Sequence, residues 1–370
     1  MDDRGGWRWR ALESRGDALE RVARHGHTST VLASRIYVFG GRTQDKSFLE
    51  GVHVLDPHSL IWKAPRVKRS PPLRAFHTAD ALENSRLVVF GGFGPSSADP
   101  AESAFFNDTW LFVVDRTVWE SCLVAGEPPP PRAAHASVLL TGSRAGKAAS
   151  LIIHGGTNNE KSFGDLWQLS IGSATWEKVT TGGAKLPSPR AYHTASLVGM
   201  TIVVFGGRTT KTICKSDAYL LDLTSREWTE VSRTAANAPL LGRSSHSAVV
   251  VGDEHVLIFG GKQEPERSAT ADDDRRYAHA TASLLLFDGR SGRWAPPPPA
   301  DAVVSSRGGD GALLSSLARS AHTAVVACVP PSMLVLGGYA RDCVQSDGGR
   351  HLDSRYQTLK KKAPALGPRT

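Results

Sequence analysis

Cysteine is scarce in this chain: Cys122, Cys214, Cys328 and Cys343 are the four in 370 residues, widely spaced and without a C-x-x-C pair. That argues against a disulfide framework and a thiolate metal site, and reads as reduced thiols. Long apolar runs are also missing, and none approaches the roughly 20 residues that a spanning helix needs. The start, Met1-Asp2-Asp3-Arg4, lacks the apolar segment of a secretory leader. The expected compartment is therefore the cytoplasm, with the nucleus as the alternative. No helical period runs through the body, and no Walker loop, H-E-x-x-H or G-x-S-x-G appears.

What is present is a repeat. R-x-x-H occurs at Arg24–His27, Arg74–His77, Arg132–His135, Arg190–His193, Arg243–His246 and Arg319–His322. A glycine pair follows each: Gly40-Gly41, Gly91-Gly92, Gly155-Gly156, Gly206-Gly207, Gly260-Gly261 and Gly337-Gly338. Between the two lie a short apolar segment, a turn and a stronger apolar run such as Leu87–Phe90 or Val256–Phe259. Those runs are apolar on successive residues, as in a strand buried on both faces. A third strand ends at Asp56, Asp115, Asp222 or Asp288, with Ser170 in the third unit, and a fourth carries Trp62, Trp119, Trp176, Trp228 or Trp294.

Four short strands per unit form a sheet with two apolar faces, which only neighbouring units can bury. The sixth unit has its first two strands, Ser320–Cys328 and Met333–Leu336, but no Trp strand after them. Trp7 and Trp9 precede the first R-x-x-H, so the segment Gly6–Leu12 is expected to complete the last unit and close a ring. Gln345–Tyr356 is the candidate for its third strand.

With the Gly-Gly, the aspartate-terminated strand and the Trp at these spacings, residues 6–340 resemble the kelch-repeat β-propellers, especially the stand-alone kelch proteins. The resemblance implies an all-β, six-bladed propeller forming one domain, closed by an N-terminal strand. Residues 341–370 remain as a basic, flexible C-terminal tail. Net charge is +8, and about half of the excess sits in that tail. The body is only mildly basic, so nucleic acid has no strong case as a partner. Three stretches break the rhythm and read as insertions: Phe93–Phe106, Lys262–Ala282 and Pro296–Leu317.

Catalytic kelch rings supply tests that this chain does not pass. A galactose-oxidase-like copper site needs a crosslinked Tyr and Cys, a second Tyr and two His, and no converging set can be assembled here. The E-x-x-x-D-x-x-x-H iron triad of nitrile-specifier proteins begins at Glu13–Asp17 but meets Arg21 where the His belongs. Bacterial sialic-acid mutarotases share the ring but are exported. Asp272–Asp274 lacks the alternating ligands of an EF-type calcium loop. No metal, cofactor or catalytic residue is therefore expected.

In a closed ring, equivalent positions face the same way at the same radius. The resemblance implies that Arg24, Arg74, Arg132, Arg190, Arg243 and Arg319 encircle one mouth of the channel, as arginines do in peptide-binding family members. A guanidinium fork suits carboxylates. The residues after each Gly-Gly vary, as a recognition surface would: Arg42, Phe93, Thr157, Arg208, Lys262 and Tyr339. Phe76 and Tyr192 add aromatic anchors, and the repeat histidines read as structural. The expected function is a non-catalytic, monomeric adaptor that holds an acidic peptide or chain terminus of a protein partner. The alternatives are the substrate receptor of a cullin ubiquitin ligase and an enzyme with a small-molecule site in the channel.

Overall fold

The computed structural model describes residues 7–12, 14–16, 23–142, 148–209, 214–232, 242–263, 279–280, 283–295, 319–328, 331–337 and 356–361. Five four-stranded antiparallel sheets and one five-stranded sheet form six blades of a β-propeller. Blade one runs Thr28–Leu32, Arg35–Phe39, Val52–Asp56 and Ile61–Lys63 from the axis outward. Blade two uses Thr78–Leu82, Arg86–Phe90, Thr109–Val113 and Val118–Ser121, and blades three to five repeat the plan.

The second strand of each blade is the most deeply buried. Ile36, Val38, Val88, Val89, Leu151, Ile153, Val204, Leu257 and Val335 are all nearly inaccessible. That is why these runs lack polar alternation: both faces meet a neighbour. Among the described residues, six apolar clusters form, each drawing on two adjacent blades. One joins Ile36, Val38 and Trp62 of blade one to Val325, Leu334 and Leu336 of blade six, so the ring is closed. The fourth-strand tryptophans reach back across these junctions. Trp119 packs on Phe39 at 4.6 Å, Trp176 on Phe90 at 4.9 Å, Trp228 on His154 at 5.4 Å and Trp294 on Phe205 at 5.0 Å. The strand-ending aspartates have a local task. Asp56 accepts from the backbone N–H of His58 and Ser59, and Asp222 from those of Thr224 and Ser225, which sets the turn into the Trp strand.

In the last blade, Trp7–Leu12 is the outermost strand, as expected. It pairs antiparallel with Tyr356–Lys361, which in turn pairs with Pro331–Leu336. The third strand is thus Tyr356–Lys361 rather than Gln345–Tyr356, and it comes from the segment read as tail. Its basic residues hid it: Lys360 and Lys361 read as part of a solvated tail. Phe93–Phe106, expected as an insertion, contains a hairpin of Phe93–Pro95 with Ser103–Phe105.

The outer edges of four blades are covered. Arg15–Gly16 pairs parallel with Ile61–Lys63, and parallel bridges join Lys68 to Val118, Ala125 to Thr175 and Gly182 to Glu227. The linker entering each of these four blades thereby shields an edge that would otherwise offer free backbone groups.

Candidate functional site

The six repeat arginines are buried, with 0–2% of their surface exposed. In every blade the Nη1 group donates to the carbonyl of the first glycine of the pair: Arg24 to Gly40, Arg74 to Gly91, Arg132 to Gly155, Arg190 to Gly206, Arg243 to Gly260 and Arg319 to Gly337. Among the described residues, three also meet a carboxylate in a two-pronged pair: Arg74 with Asp108 at 2.7 and 2.8 Å, Arg132 with Asp165 at 2.7 and 3.0 Å, Arg190 with Asp217 at 2.8 and 3.0 Å. Arg24 uses His53 in that place and Arg243 uses Ser283. The expectation of an open cationic rim made of these six is corrected: their donors are turned inward, where they tie the first strand to the start of the third. The missed partners had a sequence signal, since Asp108, Asp165 and Asp217 each stand immediately before a third strand.

The histidines sew blade to blade. His77 Nε2 meets Thr28 Oγ1 of the preceding blade at 3.0 Å, and His135 with Thr78, His246 with Thr194, His322 with Ser247 and His27 with Thr323 repeat the contact. In blade three Ala136 stands where the hydroxyl would be, and His193 turns instead to His154 Nδ1 at 3.0 Å. Burial holds all six repeat imidazoles well below the usual histidine range, with the repeat arginines adding to the effect; His135 and His322 fall to about 3. They are neutral at physiological pH. The glycine pairs exist because there is no room for a side chain. A Cβ on Gly155 would lie 2.6 Å from the Arg190 carbonyl and 2.8 Å from the His193 ring.

At the mouth itself stands the residue before each histidine: Gly26, Phe76, Ala134, Tyr192, Ser245 and Ala321, all with positive φ. Their backbones form a closed circle of hydrogen bonds. Phe76 N–H donates to Gly26, Ala134 to Phe76, Tyr192 to Ala134, Ser245 to Tyr192, Ala321 to Ser245 and Gly26 to Ala321, at 2.7–3.1 Å.

Around this circle lie the half-buried loop residues Arg42, Phe93, Thr157, Arg208 and Lys262, each bridged by backbone to the residue after a repeat arginine. Tyr339 lies outside the described residues. Phe76 stacks on Phe93 at 5.9 Å and meets Tyr192 edge-on at 5.5 Å, and Phe48 and Phe105 extend the patch through Phe93. Cations sit on these rings. The Arg42 guanidinium lies 5.2 Å from the Phe93 centroid and 5.7 Å from that of Phe76, and Arg208 lies 4.2 Å from Tyr192. Arg42 Nε also donates to His25 Nε2 at 3.0 Å. Burial, then the charges of Arg42 and Lys262, lower His25 to about 4, so it is a neutral acceptor. A cavity of about 180 Å³ adjoins Tyr192 and Arg208, with Lys161, Thr157 and Ser162 on its wall. Phe48, Phe105, His25 and Lys161 were not singled out from sequence, because loop residues carry no periodic signal. Among the described residues, no three His, Cys, Asp or Glu side chains converge as a metal site. Among the same residues, no helix is long and apolar enough to cross a membrane.

Comparison with known proteins agrees with this architecture. The model of the KLHDC2/KLHL20/DRC7 Kelch-repeats domain matches residues 4–207 and 183–317. The chain is 31% identical over 268 residues to Adagio protein 3 of Arabidopsis thaliana, covering 68% of this chain and 40% of that protein. It is 26% identical over 238 residues to the Arabidopsis acyl-CoA-binding domain-containing protein 4, covering 64% of this chain and 34% of that one. To human host cell factor 1 it is 29% identical over 209 residues, 54% of this chain and 10% of that one. The chain thus spans well under half the length of these relatives. A solved structure of YjhT superposes with a TM-score of 0.62 at 15% identity, over 92% of this chain and 95% of that one, which is a likeness of fold. Rings of this type are protein-interaction modules, generally without catalytic activity.

Proposed function

The chain belongs to the kelch-repeat family, and from that premise we propose that it is a monomeric, non-catalytic adaptor whose Gly-Gly face binds an acidic peptide segment of a protein partner. One observation carries the reading: Arg42, Arg208 and Lys262 stand half-exposed around an aromatic patch of Phe76, Phe93 and Tyr192. The rings offer a flat apolar seat for a partner side chain, and the guanidiniums above them are pre-positioned for carboxylates at little entropic cost. The loop residues, not the repeat arginines, are the recognition set. An adaptor of this kind needs no reacting group, only a rigid ring that presents variable loops.

The test is a displayed peptide library selected on the full chain, followed by fluorescence polarisation with the selected peptides. Acidic residues should be enriched, and Arg42→Ala combined with Arg208→Ala should weaken binding by about tenfold or more with melting nearly unchanged. Raising salt from 50 to 500 mM should weaken the remainder, because exposed charges are screened beyond a Debye length of about 10 Å at 0.1 M. Selection of neutral or basic sequences, or full binding by the double variant, would overturn the proposal.

A further inference from the structure

Asp80 lies on the innermost strand of blade two (Thr78–Leu82), the third residue after His77. The corresponding residues of the other blades are Thr30, Val138, Ser196, Val249 and Val325. Five blades thus place an apolar or hydroxyl side chain here, and one places a carboxylate. The Oδ2 atom accepts from Ser137 Oγ at 2.5 Å. Two cavities meet at Asp80 in the channel interior. One, of about 440 Å³, is lined by Ser137, Leu139, Thr141, Leu197 and Val250 among others. The second, of about 250 Å³, carries Ser29, Ser137, Ala195, Ala248 and Ala324 on its wall.

Among the described residues lining both spaces, Asp80 is the one carboxylate, and no Lys or Arg is present. The lining histidines are His77, His193, His246 and His322, which are kept neutral by burial and are spent on the blade-to-blade contacts. Partial desolvation pushes the Asp80 carboxyl up to about 6, with the Ser137 hydrogen bond pulling the other way. Asp80 is half-buried, and keeping a carboxylate ionised there without a positive neighbour is costly, whereas a hydrophobe fits this position in three sister blades. Asp80 is not needed to build a blade.

We propose that the channel beside Asp80 binds a compact monocation, with the Asp80 carboxylate as counter-ion and the Ser137 hydroxyl as a further oxygen ligand. A divalent ion is disfavoured, since calcium takes about 6–8 oxygens and is commonly served by several carboxylates. The same oxygen set serves an alkali ion or the protonated head of a small primary amine. The site stands apart from the mouth-face reading and does not depend on it.

The experiment titrates the full chain with potassium, ammonium and ethylammonium chloride, against tetramethylammonium chloride at equal ionic strength, by thermal melting and calorimetry. At least one compact cation should raise the melting temperature saturably where tetramethylammonium does not, and which one responds identifies the source. Asp80→Asn should weaken that response about tenfold, and Asp80→Val should abolish it. A parental far-UV circular dichroism spectrum and a cooperative melt in the absence of added cation serve as the folding control, and Asp80→Asn alone carries the test if the valine variant misfolds. Equal behaviour of all four salts, or variants that respond like the parent, would overturn the proposal.

Discussion

Replacing Arg132 by methionine asks most directly whether the repeat arginines are scaffold. The guanidinium is fully buried, makes two bonds to Asp165, donates from Nε to the Pro130 carbonyl and from Nη1 to that of Gly155, and lies 4.1 Å from the Phe163 ring. Methionine keeps most of the stem volume and removes all of the donors. Asp165 is left behind at 18% exposure, beside two carbonyls that lose a partner. Removing one member of a buried pair costs about 3–5 kcal/mol. Partial rehydration of Asp165 keeps the figure within that range despite the lost carbonyl bonds. At roughly 2 °C per kcal/mol for a large domain, melting should fall by about 6–10 °C. Arg243→Met is the internal comparison. Among the described residues no carboxylate reaches Arg243, which donates to Gly260 and Ser283, and burial lowers its pKa to about 10. Its loss strands no anion and should cost only about 1–3 kcal/mol. Differential scanning calorimetry of both variants, with Asp165→Asn closing a double-mutant cycle, gives the coupling energy. If Arg132→Met melted with the parent while peptide binding collapsed, the arginines would be ligand contacts after all and the scaffold argument would be wrong.

Acid should destabilise the ring from neutral pH downward. Burial holds His135, His154 and His322 at about 3 when folded against 6.5 as free residues, so the unfolded chain takes up the protons. Their contribution is complete above pH 6.5 and is lost progressively below it, at up to about 1.4 kcal/mol per pH unit per residue, with Asp80 opposing between 6 and 4. A urea midpoint that stays flat between pH 7 and 5 would contradict this. His154→Phe should cost about 1–3 kcal/mol by depriving His193 of its partner, and adding Ala136→Thr should recover most of it; recovery absent from the double variant would show that the two substitutions are not linked. Gly155→Ala meets both a positive φ and a carbonyl 2.6 Å away, and should lose about 2–4 kcal/mol in chemical denaturation. Deleting residues 1–12 removes the outer strand of blade six and should lower the melting temperature and broaden the transition; an unchanged melt would mean that closure lies elsewhere.

The repeat made the fold legible because each blade must solve the same packing problem. Gly-Gly, buried run and Trp recur for steric reasons that do not depend on ligand. The same logic misled the reading of Arg24 and its equivalents. A residue kept at every repeat is tied to what every blade shares, and what they share is the inward turn of the chain, not a partner. The informative positions were those that vary: Arg42, Phe93 and Arg208 were visible, but the Phe48 and Phe105 that join them were not, since only the loop geometry brings them together. Ala136 with His154 shows a paired change that is readable only once the contact partner is known. Tyr356–Lys361 eluded the sequence because a strand beyond a long connection carries no spacing relative to its blade.

The circle of six backbone hydrogen bonds around Gly26, Phe76, Ala134, Tyr192, Ser245 and Ala321 acts as a fixed washer. Its bore is set by peptide groups, which cannot swing aside as side chains can, so widening it for a polypeptide would mean rupturing several bonds at once. A partner docked above would stay above. The two ends of the axle are therefore separate ports, and occupancy of one should leave the affinity of the other untouched.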